Sequence, residues 1–214
     1  MEIVCYVVTA LLAYLLGSIP TGFLVAQAKG VDIRAVGSGN IGATNVLRTL
    51  GKPAGIFVLF MDALKGWVAV VLMTRLLLLA FGLGADGARM EVCQIIAALC
   101  AILGHNYTCW LHFKGGKGIA TSAGVLLALV PWALIVIFIV WVVVFVLTRY
   151  VSLGSLAAAA ALPFASWATH ESLTKVIVTG AMAVLAIYKH KGNIQRLFSG
   201  TEPRFGQKRE EAAK

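Results

Sequence analysis

Charge is scarce in this sequence. Only 13% of its 214 residues are charged while 60% are hydrophobic, against roughly 25% charged residues in soluble domains. That shortage leaves no room for a soluble domain of useful size. The charge that is present leans one way, with nine acidic residues against eighteen basic ones and a net charge of +9. Such a balance can signal nucleic acid. Few aromatic residues are interleaved with the basic ones here, however, and in so apolar a chain basic residues first sort by membrane side.

Other absences narrow the chemistry. Cys5, Cys93, Cys100 and Cys109 form neither a CxxC pair nor a Cys/His spacing suited to metal, and most lie in apolar context, which predicts buried thiols. His105 and His112 lack partners at zinc-like spacing, so no metal site is expected. The N-terminus has no basic residue before its apolar run and no small-residue cleavage site, which predicts a retained first span. The run Lys114-Gly115-Gly116-Lys117-Gly118 fails the Walker pattern, because Leu111 stands at the first glycine position and Gly118 at the Ser/Thr position. Nucleotide hydrolysis is disfavoured.

Apolar runs, in contrast, are abundant, and several approach the ~20 residues that cross a bilayer core. They predict an all-α integral membrane protein, one domain over residues 1–214, with seven spans near 4–24, 53–79, 92–103, 119–131, 132–148, 153–168 and 173–188. The third and fourth are short for a crossing, which suits loop residues dipping into the membrane around a wet cavity. Seven spans put Lys29, Arg34, Arg48, Lys52, Lys114, Lys117, Arg149, Lys189, Lys191, Arg196, Arg204, Lys208, Arg209 and Lys214 on one side. Arg75, Arg89 and Lys175 fall on the other. This bias predicts a periplasmic N-terminus and a cytoplasmic C-terminus.

Polar side chains and glycines then concentrate in a few places. Between Gly104 and Thr121, glycines permit close backbone approach, successive N–H groups can form an anion nest, and the following helix adds its positive end. The loop Gly37-Ser38-Gly39-Asn40-Ile41-Gly42-Ala43-Thr44-Asn45 reads as a donor-rich turn, with Thr44 or Asn45 capping a helix that presents Arg48 to a phosphate. Ser152 or Ser155 can cap the sixth helix or contact ligand, and the alanine-rich stretch from Leu156 to Leu162 suits close helix packing. His190 and Asn193, three apart, share a helix face and can reach one ligand from the membrane boundary. Asp62 and Lys65, also three apart, can pair with each other or serve a site.

Together these residues closely resemble the bacterial acyl-phosphate:glycerol-3-phosphate acyltransferases, the PlsY family. The resemblance rests on Gly17-Ser18-Ile19-Pro20-Thr21-Gly22, the Ser-Gly-Asn-Ile-Gly-Ala-Thr-Asn loop with Arg48, Asp62 through Lys65-Gly66, Gly104-His105-Asn106 with Phe113 to Gly118, and His190 with Asn193. It implies a seven-helix, multi-pass protein of the bacterial inner membrane. It also implies transfer of the acyl chain of acyl phosphate to the 1-position hydroxyl of sn-glycerol 3-phosphate, giving lysophosphatidic acid and phosphate. The implied catalytic residues are Ser38, Arg48, Lys117, His190 and Asn193. The substrate- or phosphate-binding candidates are Gly39, Asn40, Gly42, Thr44, Asn45, His105, Asn106, Lys114, Gly115, Gly116, Gly118, Ser152 and Ser155, and Glu202 matches an acid of structural role. The expected partners are the two substrates and the lipid bilayer, with no nucleic acid and no cofactor: neither metal, thioester nor nucleotide.

No histidine is followed by Asp five positions on, so a His-x4-Asp relay is not available in that form. An organic-phosphate transporter would use similar loops, but it predicts paired half-helices near the midplane and internal repeats. The polar motifs here cluster at one boundary, and no repeat is found.

Overall fold

The structure, a computed structural model, describes residues 1–84 and 87–206; the basic tail positions Lys208, Arg209 and Lys214 lie outside the described residues. Among the described residues all regular structure is helical. The chain opens with α1 (Glu2–Ser18) and α2 (Thr21–Gln27), which are parted at Pro20. Proline has no N–H, and its ring pushes the preceding residue out of the helical region; Ile19 accordingly sits at φ −56°, ψ 113°. The carbonyls released by this break are taken up by side chains. Lys65 donates to the Ile19 carbonyl at 2.8 Å and Thr108 to the Ser18 carbonyl at 2.6 Å. An interrupted helix is thereby tolerated in an apolar interior.

The short α3 (Ala43–Leu50) leads into α4 (Lys52–Val68), which continues through a π turn at Ala69–Met73 into α5 (Thr74–Ala80). Next come α6 (Gly87–Asn106), α7 (Ile119–Leu129), α8 (Pro131–Thr148), α9 (Val151–Ala168), α10 (Leu173–Lys189) and α11 (Lys191–Phe198). The seven predicted segments fall in helical parts of the chain, the first of them divided between α1 and α2 and the second carrying the π turn. Five are long and apolar enough to cross a membrane: Glu2–Gln27, Lys52–Ala80, Gly87–Leu111, Pro131–Thr148 and Val151–Ala168. The pair α10 and α11, bent by 57°, makes a sixth if taken as one broken span. With 11 residues, α7 is about 17 Å long, roughly half of a ~30 Å bilayer core.

The third segment differs from its expected extent. Expected over 92–103, it is helical from Gly87 to Asn106. Helix formation satisfies the backbone of the polar end residues, and Glu91 further accepts a hydrogen bond from Ser172 at 3.0 Å.

Small residues set the packing. α1 and α6 run parallel: Arg89 pairs with Glu2 at 2.7 Å at one end, and the Tyr14 hydroxyl donates to the Tyr107 carbonyl at 2.7 Å at the other. Their backbones approach so closely that a Cβ on Gly104 would stand 2.1 Å from the Tyr14 carbonyl oxygen. The fully buried core positions include Ala97, Ala98, Ala101, Val125 and Ala133, while Phe60, Leu147 and Phe164 point outward. With lipid as solvent, packing of small side chains and not hydrophobic exclusion holds such helices together. All four cysteines are free; Cys5 and Cys93 are buried, Cys100 and Cys109 partly so.

Candidate active site

The ends of α1, α6, α9 and α10, with the N-terminus of α7, gather the conspicuous polar residues at one end of the bundle. The first loop is organised by Asn45. Its side-chain N–H groups donate to the carbonyls of Ile33, Val36 and Asn40 at 3.1, 3.1 and 2.9 Å, and its oxygen accepts from the Ser38 backbone at 2.9 Å. A buried amide making four hydrogen bonds fixes the loop and points it at the cavity. The expectation that Thr44 or Asn45 caps α3 does not hold: Gly42 is the cap residue, and Asn40 accepts from its N–H at 2.8 Å. Arg48, on the last turn of α3, reaches the Pro203 carbonyl at 3.2 Å.

Opposite this loop stands a cluster built around Glu202. Its carboxylate accepts from Ser152 at 2.6 Å, Asn193 at 2.7 Å and Arg196 at 2.7 Å, joining α9, α11 and the tail. The amide oxygen of Asn193 in turn accepts from the Lys117 ammonium. Burial raises the Glu202 pKa, but the three donors outweigh it and hold the carboxyl below its ordinary value. Lys117 is pushed down to about 8, chiefly by burial, with the charges of Arg196, Arg48 and Lys189 acting in the same direction against Glu202. His190, just beyond α10, has Nδ1 2.7 Å from the Ala186 carbonyl. A carbonyl can only accept, so Nδ1 carries the proton and Nε2 keeps its lone pair.

Ser152 and Ser155 cap nothing. The α9 cap residue is Tyr150; Ser152 bonds Glu202, and Ser155 donates to the Val151 carbonyl at 3.0 Å and accepts from Trp141 at 3.3 Å. Both serines nevertheless line the cavity.

The glycine loop works differently from an open anion nest. Gly115 and Gly116 give their N–H groups to the carbonyls of Asn106 and His105 at 3.2 and 3.0 Å. A Cβ on Gly116 would lie 2.2 Å from His105 Nε2, so its bareness serves the packing of that imidazole. Gly118 adopts φ +80° at the start of α7, where a side chain would also strike the Asn106 amide oxygen. Asn106 is fully buried, and its side-chain amide has no hydrogen-bond partner among the described residues.

A cavity of about 420 Å³ unites these groups. Its polar end is lined by Ser38, Asn40, Gly42, Thr44, Asn45, Arg48, His105, Lys117, Gly118, Ser152, Ser155, His190 and Asn193. Gly39, Asn106, Lys114, Gly115 and Gly116 do not line it: Gly39 makes a turn at φ +69°, Lys114 points to solvent, and the other three brace the loop. Asp62 does line it. That carboxylate pairs with Lys65 at 2.8 Å, accepts from Thr21 at 3.1 Å and lies 3.7 Å from His105 Nδ1.

Two features go beyond what the sequence marks. One is the central place of Glu202. The other is the apolar part of the cavity between α7, α8, α9 and α10, where Ala158, Ala159 and Leu162 face open space and not, as expected, only a neighbouring helix.

A helical membrane protein with a cationic polar cluster at the head of an apolar channel is suited to a substrate with an anionic head and a hydrocarbon tail. Residues 7–200 match the family described as "Glycerol-3-phosphate acyltransferase", and the chain belongs to that family. It is 49% identical over 202 residues to a glycerol-3-phosphate acyltransferase of Thermus thermophilus, covering 94% of this chain and 96% of that one. It is 46% identical over 198 residues to that of Desulforamulus reducens, covering 92% and 94%. The crystal structure of PlsY (YgiH), an integral membrane glycerol 3-phosphate acyltransferase in its glycerol 3-phosphate form, superposes with a TM-score of 0.83 at 39% identity, covering 94% of this chain and 96% of that one. The same enzyme's lysophosphatidic acid form gives 0.80 at 38% identity, covering 94% and 95%.

Proposed function

We propose that this acyltransferase takes its acyl chain from acyl phosphate and delivers it to the 1-position hydroxyl of sn-glycerol 3-phosphate. The product is lysophosphatidic acid, as the lysophosphatidic acid form of the structural relative suggests. The observation that carries this reading is the junction at Lys117, where a cation held by a neutral amide stands between the polar loops and the apolar channel. The acyl chain lies in the channel, its carbonyl at the junction, and the two phosphates fall among Arg48, Lys117 and the first loop.

The glycerol hydroxyl oxygen bonds to the acyl carbon, the carbon–oxygen bond to phosphate breaks, and phosphate leaves. The hydroxyl proton passes to the departing phosphate, whose second pKa is about 6 in the phosphoester reference. Acyl phosphate is already activated, so positioning and charge neutralisation supply most of the acceleration. Ser38 can donate to the developing oxyanion, Arg48 and Lys117 neutralise phosphate, and His190 and Asn193 orient the acceptor. In this reading all seven helical segments enter the bacterial inner membrane, with the site on the cytoplasmic side where basic residues predominate.

Purified protein in sealed vesicles, given palmitoyl phosphate and labelled glycerol 3-phosphate, should convert the label to a lipid-soluble product. Label that enters the lumen unchanged would favour the transport reading.

A further inference from the structure

The channel lining changes with depth along α9 and α10. On α9 the order is Ser152 and Ser155 at the polar end, then Ala158 and Ala159, then Leu162. From Ser152 to Leu162 the helix advances about 15 Å at ~1.5 Å per residue. On α10 the order from His190 is Ala186, Ala183, Met182, and the lining contributed by α7 and α8 ends at Leu126 and Leu134. Leu126, Leu162 and Met182 are each at most 4% exposed and belong to one apolar cluster, with Leu134 packed against it. A passage with alanines of α9 and α10 on one side and Trp141, Phe138 and Ile137 of α8 on the other therefore leads to a floor of four long side chains.

We propose that Leu126, Leu134, Leu162 and Met182 set the longest acyl chain the enzyme transfers efficiently, an inference that rests on the acyl chain occupying this channel. A methyl terminus that reaches the floor gains apolar burial with every added methylene until it meets these side chains. One more methylene must then displace them or bend the chain, and displacing close-packed side chains is costly. Met182 is the most adaptable of the four, because its unbranched thioether changes shape readily. The competing path is lateral, past Phe138, which lines the channel and is 59% exposed toward the bilayer. A chain that left there would never feel the floor.

The test measures kcat/KM for lauroyl, myristoyl, palmitoyl and stearoyl phosphates with the full-length protein, in wild type, Met182→Ala and Ala159→Leu. Met182→Ala should shift preference toward longer chains, by about fourfold for each methylene newly accommodated, the equivalent of burying it. Ala159→Leu, one turn above the floor, should shift preference toward shorter chains, depressing stearoyl and palmitoyl transfer more than lauroyl transfer, with thermal unfolding reporting that the variant is folded. Length profiles that superpose in all three proteins would overturn the floor and favour exit past Phe138. An inactive wild type with every acyl phosphate would instead count against the donor assignment; the same series run with acyl thioesters then tests the floor by itself.

Discussion

Asn193 bridges two groups of opposite charge: its amide nitrogen donates to Glu202 at 2.7 Å while its amide oxygen accepts from the Lys117 ammonium. A carboxylate from the tail thus positions a cation from the loop before α7 through one neutral side chain. Removing the carboxylate leaves Ser152, Asn193 and Arg196 without their common acceptor.

Glu202→Ala should therefore lower kcat/KM by about 10- to 100-fold, as the loss of one or two buried hydrogen bonds at ~1–3 kcal/mol would do. The sign of the pH effect follows from its lowered pKa. The carboxylate's contribution to stability is complete above its ordinary value of 4.5 and is lost as pH falls through the lower folded value. Thermal unfolding followed as pH is lowered below 4.5 should show a smaller acid-induced loss in Glu202→Gln than in wild type; parallel curves would contradict this.

Lys117 should govern the alkaline side of the rate profile. With its pKa pushed down to about 8, it is a cation below that pH and loses charge above it. The kcat/KM for the anionic substrates should fall about tenfold per pH unit above the inflection. Lys117→Arg, which stays charged, should move the inflection upward. An unshifted limb in that variant would remove Lys117 from this role.

His190 tests the route of the proton. With Nδ1 tied to Ala186 and the ring lining the cavity, the imidazole can orient the acceptor hydroxyl without taking its proton. His190→Gln, which still hydrogen-bonds, should then keep more activity than His190→Ala and leave the pH profile largely in place. A required base contributes ~10²–10⁴-fold, so equal and near-complete loss in both variants, with substrate affinity intact, would identify His190 as the base.

The glycine loop yields a prediction that its sequence alone does not suggest. A methyl on Gly116 would collide with His105 Nε2 at 2.2 Å, so Gly116→Ala should lower the thermal midpoint. His105→Ala in the same chain should restore much of that loss, as coupled contacting residues do. Additive effects in the double variant would instead favour direct approach of Gly116 to a phosphate.

The helices are legible in the sequence because apolar runs of membrane length leave few alternatives, and the polar end because Ser38, Arg48, Lys117, His190 and Asn193 stand out in so apolar a chain. Capping by Ser152 is a local inference, and the hydroxyl finds a partner 50 residues away; such long-range pairings leave no periodic signal. Ala158 and Ala159 read as packing residues because an alanine against another helix and an alanine against open space look identical in sequence. Polarity alone places His105 and Asn106 in a loop, whereas the last turn of α6 satisfies their backbone. Glu202 reads as structural, and its pairing shows how that structure reaches Lys117.

The proposed mechanism turns on the acyl donor. Purified protein in chelator, with labelled glycerol 3-phosphate and either palmitoyl phosphate or a palmitoyl thioester, should form lysophosphatidic acid from the phosphate alone and release one phosphate per product. Product formed only from the thioester, or only after metal is restored, would contradict it.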